Sequence, residues 1–147
     1  MSRPEPETCS RYAHFLTIST RWMDNDVYRH VNNSVYYSFF DTTVNEYMLR
    51  SAVLDLEASA TVSLVVETGC TYFSPISFPD LVHCGLRVAH LGSSSVRYEI
   101  GIFRNDEPQA SAQGYFVHVC CERATHAPVA MPPKLRAALE QLRLPLA

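Results

Sequence analysis

At 147 residues the chain suits one domain of the usual ~100–150 residues and leaves no room for a second. A hydrophobic fraction of 47% with 18% charged residues excludes general disorder, and a net charge of -3 with a pI near 6.0 argues against the basic surface that nucleic-acid binding needs. The five cysteines are odd in number, Cys120 and Cys121 are adjacent and no CxxC pair occurs, so they read as reduced thiols of a cytoplasmic protein rather than a disulfide framework or zinc knuckle. No stretch approaches the ~18 apolar residues of a membrane span, and the N-terminus lacks the apolar run of a signal peptide.

In chain order, Met1 to Ser10 is rich in Pro, Glu and Ser and reads as a disordered leader, with a single domain expected over residues 11–147. From His14 to Trp22 the pattern alternates, Leu16, Ile18 and Trp22 against Thr17, Ser19 and Arg21, which predicts a half-buried strand. A polar loop follows, then Ser34 to about Ala52 carries Val35, Tyr36, Phe39, Phe40, Val44, Tyr47 and Met48, an apolar band wide enough for a mostly enclosed helix. Asn32 or Asn33 is suited to cap it, because an amide oxygen can accept a bond from a free helical N–H. Four more alternating runs predict strands: Val62, Leu64, Val66, Cys70 and Tyr72; Val82, Cys84, Leu86 and Val88; Val96, Tyr98, Ile100 and Ile102; and Tyr115, Val117, Val119 and Cys121. LGSSS and RNDEPQ have hairpin-turn composition. Gly69, Gly85, Gly101 and Gly114 fall inside the strands, where glycine admits a bend or the close approach of another element. Pro132 to Leu144 predicts a short amphipathic helix, with Pro133 in its first turn. The sum is an α+β domain, one helix covered by one antiparallel sheet, whose bare edges favour dimerisation.

The polar loop packs Asp24, Asn25, Asp26, Arg29, His30, Asn32 and Asn33 directly before the aromatic helix. Asp24, Asp26, His30, Val31, Asn32, Asn33 and Tyr36 match a D-x-D-x-x-G-H-V-N-N-x-x-Y pattern, and the chain here resembles the hotdog-fold thioesterases, in particular the branch similar to 4-hydroxybenzoyl-CoA thioesterase. VVETGCTYFSPISFPD and LGSSSVRYEIGIF look like that family's second strand and its later hairpin, so in strand order the resemblance runs from about Arg11 to Cys121. It implies a five-stranded antiparallel sheet wrapped around a central helix, dimers with active sites at the subunit interface, often tetramers, and no metal or organic cofactor. It also aligns the catalytic carboxylate with Asp26 and places the backbone N–H of the helix start that binds the thioester oxygen near Asn33. The chain departs from the pattern at Arg29, which stands where the family has glycine.

The residues support the same chemistry independently. An aspartate, anionic at neutral pH, can attack a thioester carbonyl or take a proton from water, and free N–H groups at a helix start can hold the tetrahedral oxyanion. The thiolate leaving group, of conjugate-acid pKa around 8.5 by analogy with cysteine, needs little acid assistance. Against this stands the ordinary use of a turn aspartate, bonding local backbone. His30 could position water, though loop structure or an interface bond is the commoner role of such a histidine. Tyr36 and its aromatic neighbours fit an apolar acyl pocket or a plain core, and Arg87, His90 and Arg97, around the LGSSS turn, could meet coenzyme A phosphates or be ordinary surface charges. Asp41 and Glu46 gain no support from spacing as a carboxylate pair, nor do His118 and Cys120 as metal ligands. The expected function is hydrolysis of an acyl-CoA thioester, or one on acyl carrier protein, by a homo-oligomer. The competing expectation is a non-catalytic acyl-CoA binding or sensing module on the same fold.

Overall fold

The computed structural model describes residues 4–53 and 59–144; residues 1–3 of the expected leader and 145–147 of the expected domain lie outside the described residues. In chain order the elements are β1 (His14–Ser19), α1 (Val35–Arg50), β2 (Thr61–Tyr72), β3 (Leu81–Leu91), β4 (Ser95–Arg104), β5 (Ala112–Glu122) and α2 (Pro133–Glu140), with short 3-10 turns at Cys9–Arg11 and Trp22–Asp24. The strands form one sheet in the order β1-β3-β4-β5-β2, antiparallel throughout, with α1 against its inner face. This is the hotdog arrangement expected from the sequence.

Helix α1 is held by Tyr36, Phe39, Phe40, Thr43, Val44 and Met48, all buried at helical spacing. Burying a side chain such as Phe40, at 0% exposure, contributes about 1.5–3 kcal/mol. Thr43 is tolerated there because its hydroxyl donates to the Phe39 carbonyl at 2.7 Å. The sheet's side of this core is Val82, Cys84, Leu86 and Val88 of β3 with Val96, Tyr98, Ile100 and Ile102 of β4, as their alternation predicted.

Four local expectations change. Strand β1 stops at Ser19, and Trp22 lies 79% exposed rather than inward, because the Arg21 N–H turns to the Asp24 carboxylate at 2.7 Å and starts a 3-10 turn. In β2 a register shift between Val65 and Glu67 switches faces. Ser63 and Val65 oppose the inward Cys120 and His118 before it, and Cys70 and Tyr72 oppose the inward Gly114 and Ala112 after it, so the five even-numbered residues do not share one face. In β5 the inward row is Ala112, Gly114, Phe116, His118 and Cys120, one residue out of phase with the expectation, because the outer row of Tyr115, Val117 and Val119 is the more apolar-looking. Finally, α1 begins at Val35 with Ser34, not Asn32 or Asn33, at its N-cap and with no side-chain cap bond; Asn32 Oδ1 instead accepts the Ser34 N–H at 3.0 Å in the turn that leads into the helix.

Three glycines, Gly85, Gly101 and Gly114, carry the close approaches foreseen. Gly85 and Gly101 are register partners across β3 and β4, and the Tyr12 ring lies over them where any Cβ would meet it at 2.6–2.7 Å. Gly114 admits the Phe40 ring, which a Cβ would meet at 2.3 Å. Within the stretch read as a leader, Glu7 accepts the Ala110 N–H on its carbonyl, and its carboxylate pairs with Arg87. All five cysteines are free thiols, and no described helix is long and apolar enough to cross a membrane.

Candidate active site

The loop before α1 is fixed by its own polar residues. Asp24, only 2% exposed, is held at one oxygen by the Arg21 N–H and at the other by the Arg21 guanidinium at 2.9 and 3.1 Å. Its carbonyl receives the Asn32 N–H at 2.9 Å, which ties the start of the loop to its end. Between them the chain doubles back. Asn25 bridges Val31, the Asp26 N–H donates to the His30 carbonyl at 2.9 Å, and the Arg29 N–H donates to the Asp26 carbonyl at 3.0 Å. The Val31 N–H reaches the Ile76 carbonyl at 2.7 Å, Ser77 Oγ donates to the Arg29 carbonyl and the Phe78 N–H to Asn25 Oδ1, so the segment after β2 braces the whole turn.

This geometry explains Arg29. Its φ is 65°, in the left-handed region that glycine enters freely, so the turn asks for the family's glycine and the arginine adopts the same backbone. Arg29→Gly is therefore expected to shift stability by less than about 1 kcal/mol, relief of the ~1–2 kcal/mol left-handed cost being offset by ~0.5–1 kcal/mol of chain entropy. Arg29→Val, β-branched at positive φ, is expected to be clearly destabilising; urea unfolding midpoints compare the two.

Asp26 is half-buried, one carboxylate oxygen accepting the Tyr28 N–H at 2.9 Å and the other facing Asn32 Nδ2 at 3.4 Å. The second oxygen is thus weakly held and open to chemistry. Asp26, His30, Asn33 and Tyr36 line one open cleft of about 400 Å³, with Tyr28 and Tyr72 among its other walls. At the head of α1 the Ser34 N–H is taken by Asn32 Oδ1 and the Val35 N–H by the Asn32 carbonyl, whereas the Asn33 N–H has no acceptor among the described residues. Burial pushes the Tyr36 hydroxyl up to about 12, so it remains a neutral phenol. His30 is exposed at the rim.

The three other expected binding residues stand elsewhere. Arg87 and Arg97 line a separate hollow on the outer face of the sheet. Arg87, 15% exposed, is clasped by Glu7 and Glu99; burial opposes its charge, but these two carboxylates outweigh burial and keep it cationic. Arg97 pairs with Glu99 at 3.1 Å and lies over the Tyr115 ring at 3.9 Å, and His90 opposes it across β3 and β4 at the exposed strand end. Local reading of the sequence missed Tyr72, whose hydroxyl donates to the Asn33 carbonyl at 2.9 Å from 39 residues away, and the Tyr28 N–H that fixes Asp26. No local signal pointed to Tyr72; the Asx-turn habit of Asp26 could have pointed to Tyr28. Among the described residues, no three His, Cys, Asp or Glu side chains group as a metal site.

A family profile described as thioesterase-like superfamily matches residues 20–139. No curated protein matches the chain. Among solved structures, the PA5185 protein of Pseudomonas aeruginosa strain PAO1 is 49% identical, with 95% of this chain and 97% of that one covered and a TM-score of 0.91. The PA2801 protein of Pseudomonas aeruginosa is 27% identical over 87% of this chain and 98% of that one, with a TM-score of 0.79. The DHNA-CoA thioesterase of Staphylococcus aureus, at 19% identity, shares the fold, with 86% of this chain and 88% of that one covered and a TM-score of 0.78.

Proposed function

The chain belongs to the thioesterase-like superfamily, and on that premise we propose that it hydrolyses an acyl-CoA thioester to the free acid and coenzyme A, with Asp26 as general base or nucleophile. The observation that carries this reading is the pairing, in one cleft, of the weakly held Asp26 carboxylate oxygen with the unbonded Asn33 N–H at the head of α1. A carbonyl oxygen directed at that N–H gains charge as the tetrahedral species forms, and a fixed donor in place beforehand is worth most at that moment. In one route Asp26 attacks the carbonyl carbon, the C–S bond breaks with departure of the thiolate to leave a mixed anhydride, and water hydrolyses that anhydride to the free acid and the Asp26 carboxylate. In the other, Asp26 removes a proton from an attacking water, and collapse of the tetrahedral species breaks the C–S bond to give the acid and the thiolate, which takes up the proton. His30, at the rim, orients water or the substrate's amide arm, and Tyr36 bounds the acyl side. The chain's own groups suffice for this sequence of steps without a cofactor. A chromogenic thiol assay separates it from the second reading, a binding module on the same fold: saturable thiol release supports hydrolysis, and saturable acyl-CoA binding without thiol release supports the binder.

The enzyme in this reading is a homodimer or homotetramer. Strand β2 is a sheet edge, and it exposes Leu64, Val65 and Val66 in succession, an apolar edge that a second copy would pair and cover. Sedimentation at micromolar concentration is expected to give a dimer or tetramer, and the pair Leu64→Lys with Val66→Lys to give monomer of native helicity. A wild-type monomer contradicts the assembly without touching the chemistry.

A further inference from the structure

Helix α1, β5 and β2 enclose a second cavity of about 300 Å³, distinct from the Asp26 cleft. Val44, Met48 and Leu135 give it an apolar wall, and Asp41, Tyr98 and His118 add polar groups. His118 is the anomaly. It is 6% exposed, its Nε2 is enclosed without a partner, and neither ring nitrogen is hydrogen-bonded among the described residues. Its ring is held by packing alone, stacked on Phe116 and edge-on to Tyr98 at 5.1 Å between centroids. Burial holds the imidazole neutral against the opposing pull of Asp41. A neutral imidazole carries one N–H donor and one acceptor nitrogen, and a buried polar group left unmade is costly.

We propose that this cavity is a binding subsite for a mostly apolar group bearing one hydroxyl, which hydrogen-bonds to the His118 ring. Under the thioesterase reading, on which only this last step rests, the group is the far end of the acyl chain. Beginning four residues after Asn33, Tyr37, Asp41 and Asn45 follow one another at four-residue intervals along α1, and Asp41 lies roughly 9 Å up the helix from its first residue, Val35. An acyl group whose carbonyl meets the Asn33 N–H and whose chain follows that stripe ends at the second cavity. The volume suits a ring or a medium chain, and Asp41 at the wall disfavours an anionic terminus.

The test uses the ring nitrogen resonances of His118 in the intact protein, with p-cresol and toluene as probes of equal outline that differ by one hydroxyl. Saturable displacement of those resonances by p-cresol is expected, with toluene about tenfold weaker, as loss of one hydrogen bond implies. His118→Phe should equalise the two probes, and Leu135→Trp, which crowds the wall while leaving the imidazole in place, should weaken both. Resonances that p-cresol leaves unmoved, or that toluene moves equally, overturn the subsite and point to a resident water on His118. The readout needs no turnover, so it stands or falls separately from hydrolysis. The acyl step is tested by KM: His118→Phe should raise KM about tenfold for acyl-CoAs hydroxylated near the far end, relative to the unsubstituted chain. An unchanged KM ratio removes that step.

Discussion

Asp26→Asn is expected to lower kcat for thioester hydrolysis by about 10³-fold, within the roughly 10²–10⁴ that positioned proton transfer supplies. The substitution isolates the chemistry because an amide keeps the shape and the bond that matters for folding. An asparagine oxygen still accepts the Tyr28 N–H, now 2.9 Å from the carboxylate; the backbone bonds of residue 26 to His30 and Arg29 are kept, and the ties from Asp24 to Asn32 and from Val31 to Ile76 do not involve it. What the amide cannot do is accept a proton from water or attack a carbonyl. Thermal unfolding should therefore match the wild type, and acyl-CoA should still bind. Asp26→Ala is a poorer experiment, since it also removes the acceptor for Tyr28.

The second large effect is on the fold. Gly114→Ala should cost about 2–3 kcal/mol, at the upper end of what an added methyl does in a packed core. The new Cβ would lie 2.3 Å from two ring carbons of Phe40, and that ring is fully enclosed between α1 and the sheet. Phe40 has no free space to yield into, so α1 or β5 must shift. Because the head of the same helix presents the Asn33 N–H, activity should fall alongside stability. Phe40→Leu in the same chain makes room, and the double variant should be less destabilised than the sum of the two singles, which a double-mutant cycle in urea measures.

Where the fold was legible in the sequence, the signal was local. The inward rows of β3 and β4 alternate cleanly, and the aromatic spacing of α1 admits few other readings. The polar loop was legible as a motif, and Asp26, His30, Asn33 and Tyr36 do share a cleft. What stayed hidden depends on pairing across long separations. β2 joins the sheet beside β5 rather than beside its neighbour β3, and its bulge, which sets the odd-numbered Val65 and the even-numbered Cys70 opposite the same row of β5, has no composition of its own. The phase of β5 was obscured because a glycine and a histidine fill the row that faces the helix, one to admit Phe40 and the other to line a cavity. Arg87 looked like a free cation on a strand, and only the fold brings Glu7 and Glu99 to it from 80 and 12 residues away.

The most direct test of the central claim is initial-rate thiol release, with the acid product quantified, by wild-type protein and Asp26→Asn side by side over short, long and aromatic acyl-CoAs. The account predicts saturable release of equimolar acid and thiol from at least one of them by the wild type, and near-complete loss in the variant with binding retained. Hydrolysis at the wild-type rate by Asp26→Asn, or binding by the wild type with no thiol released from any of them, would contradict it.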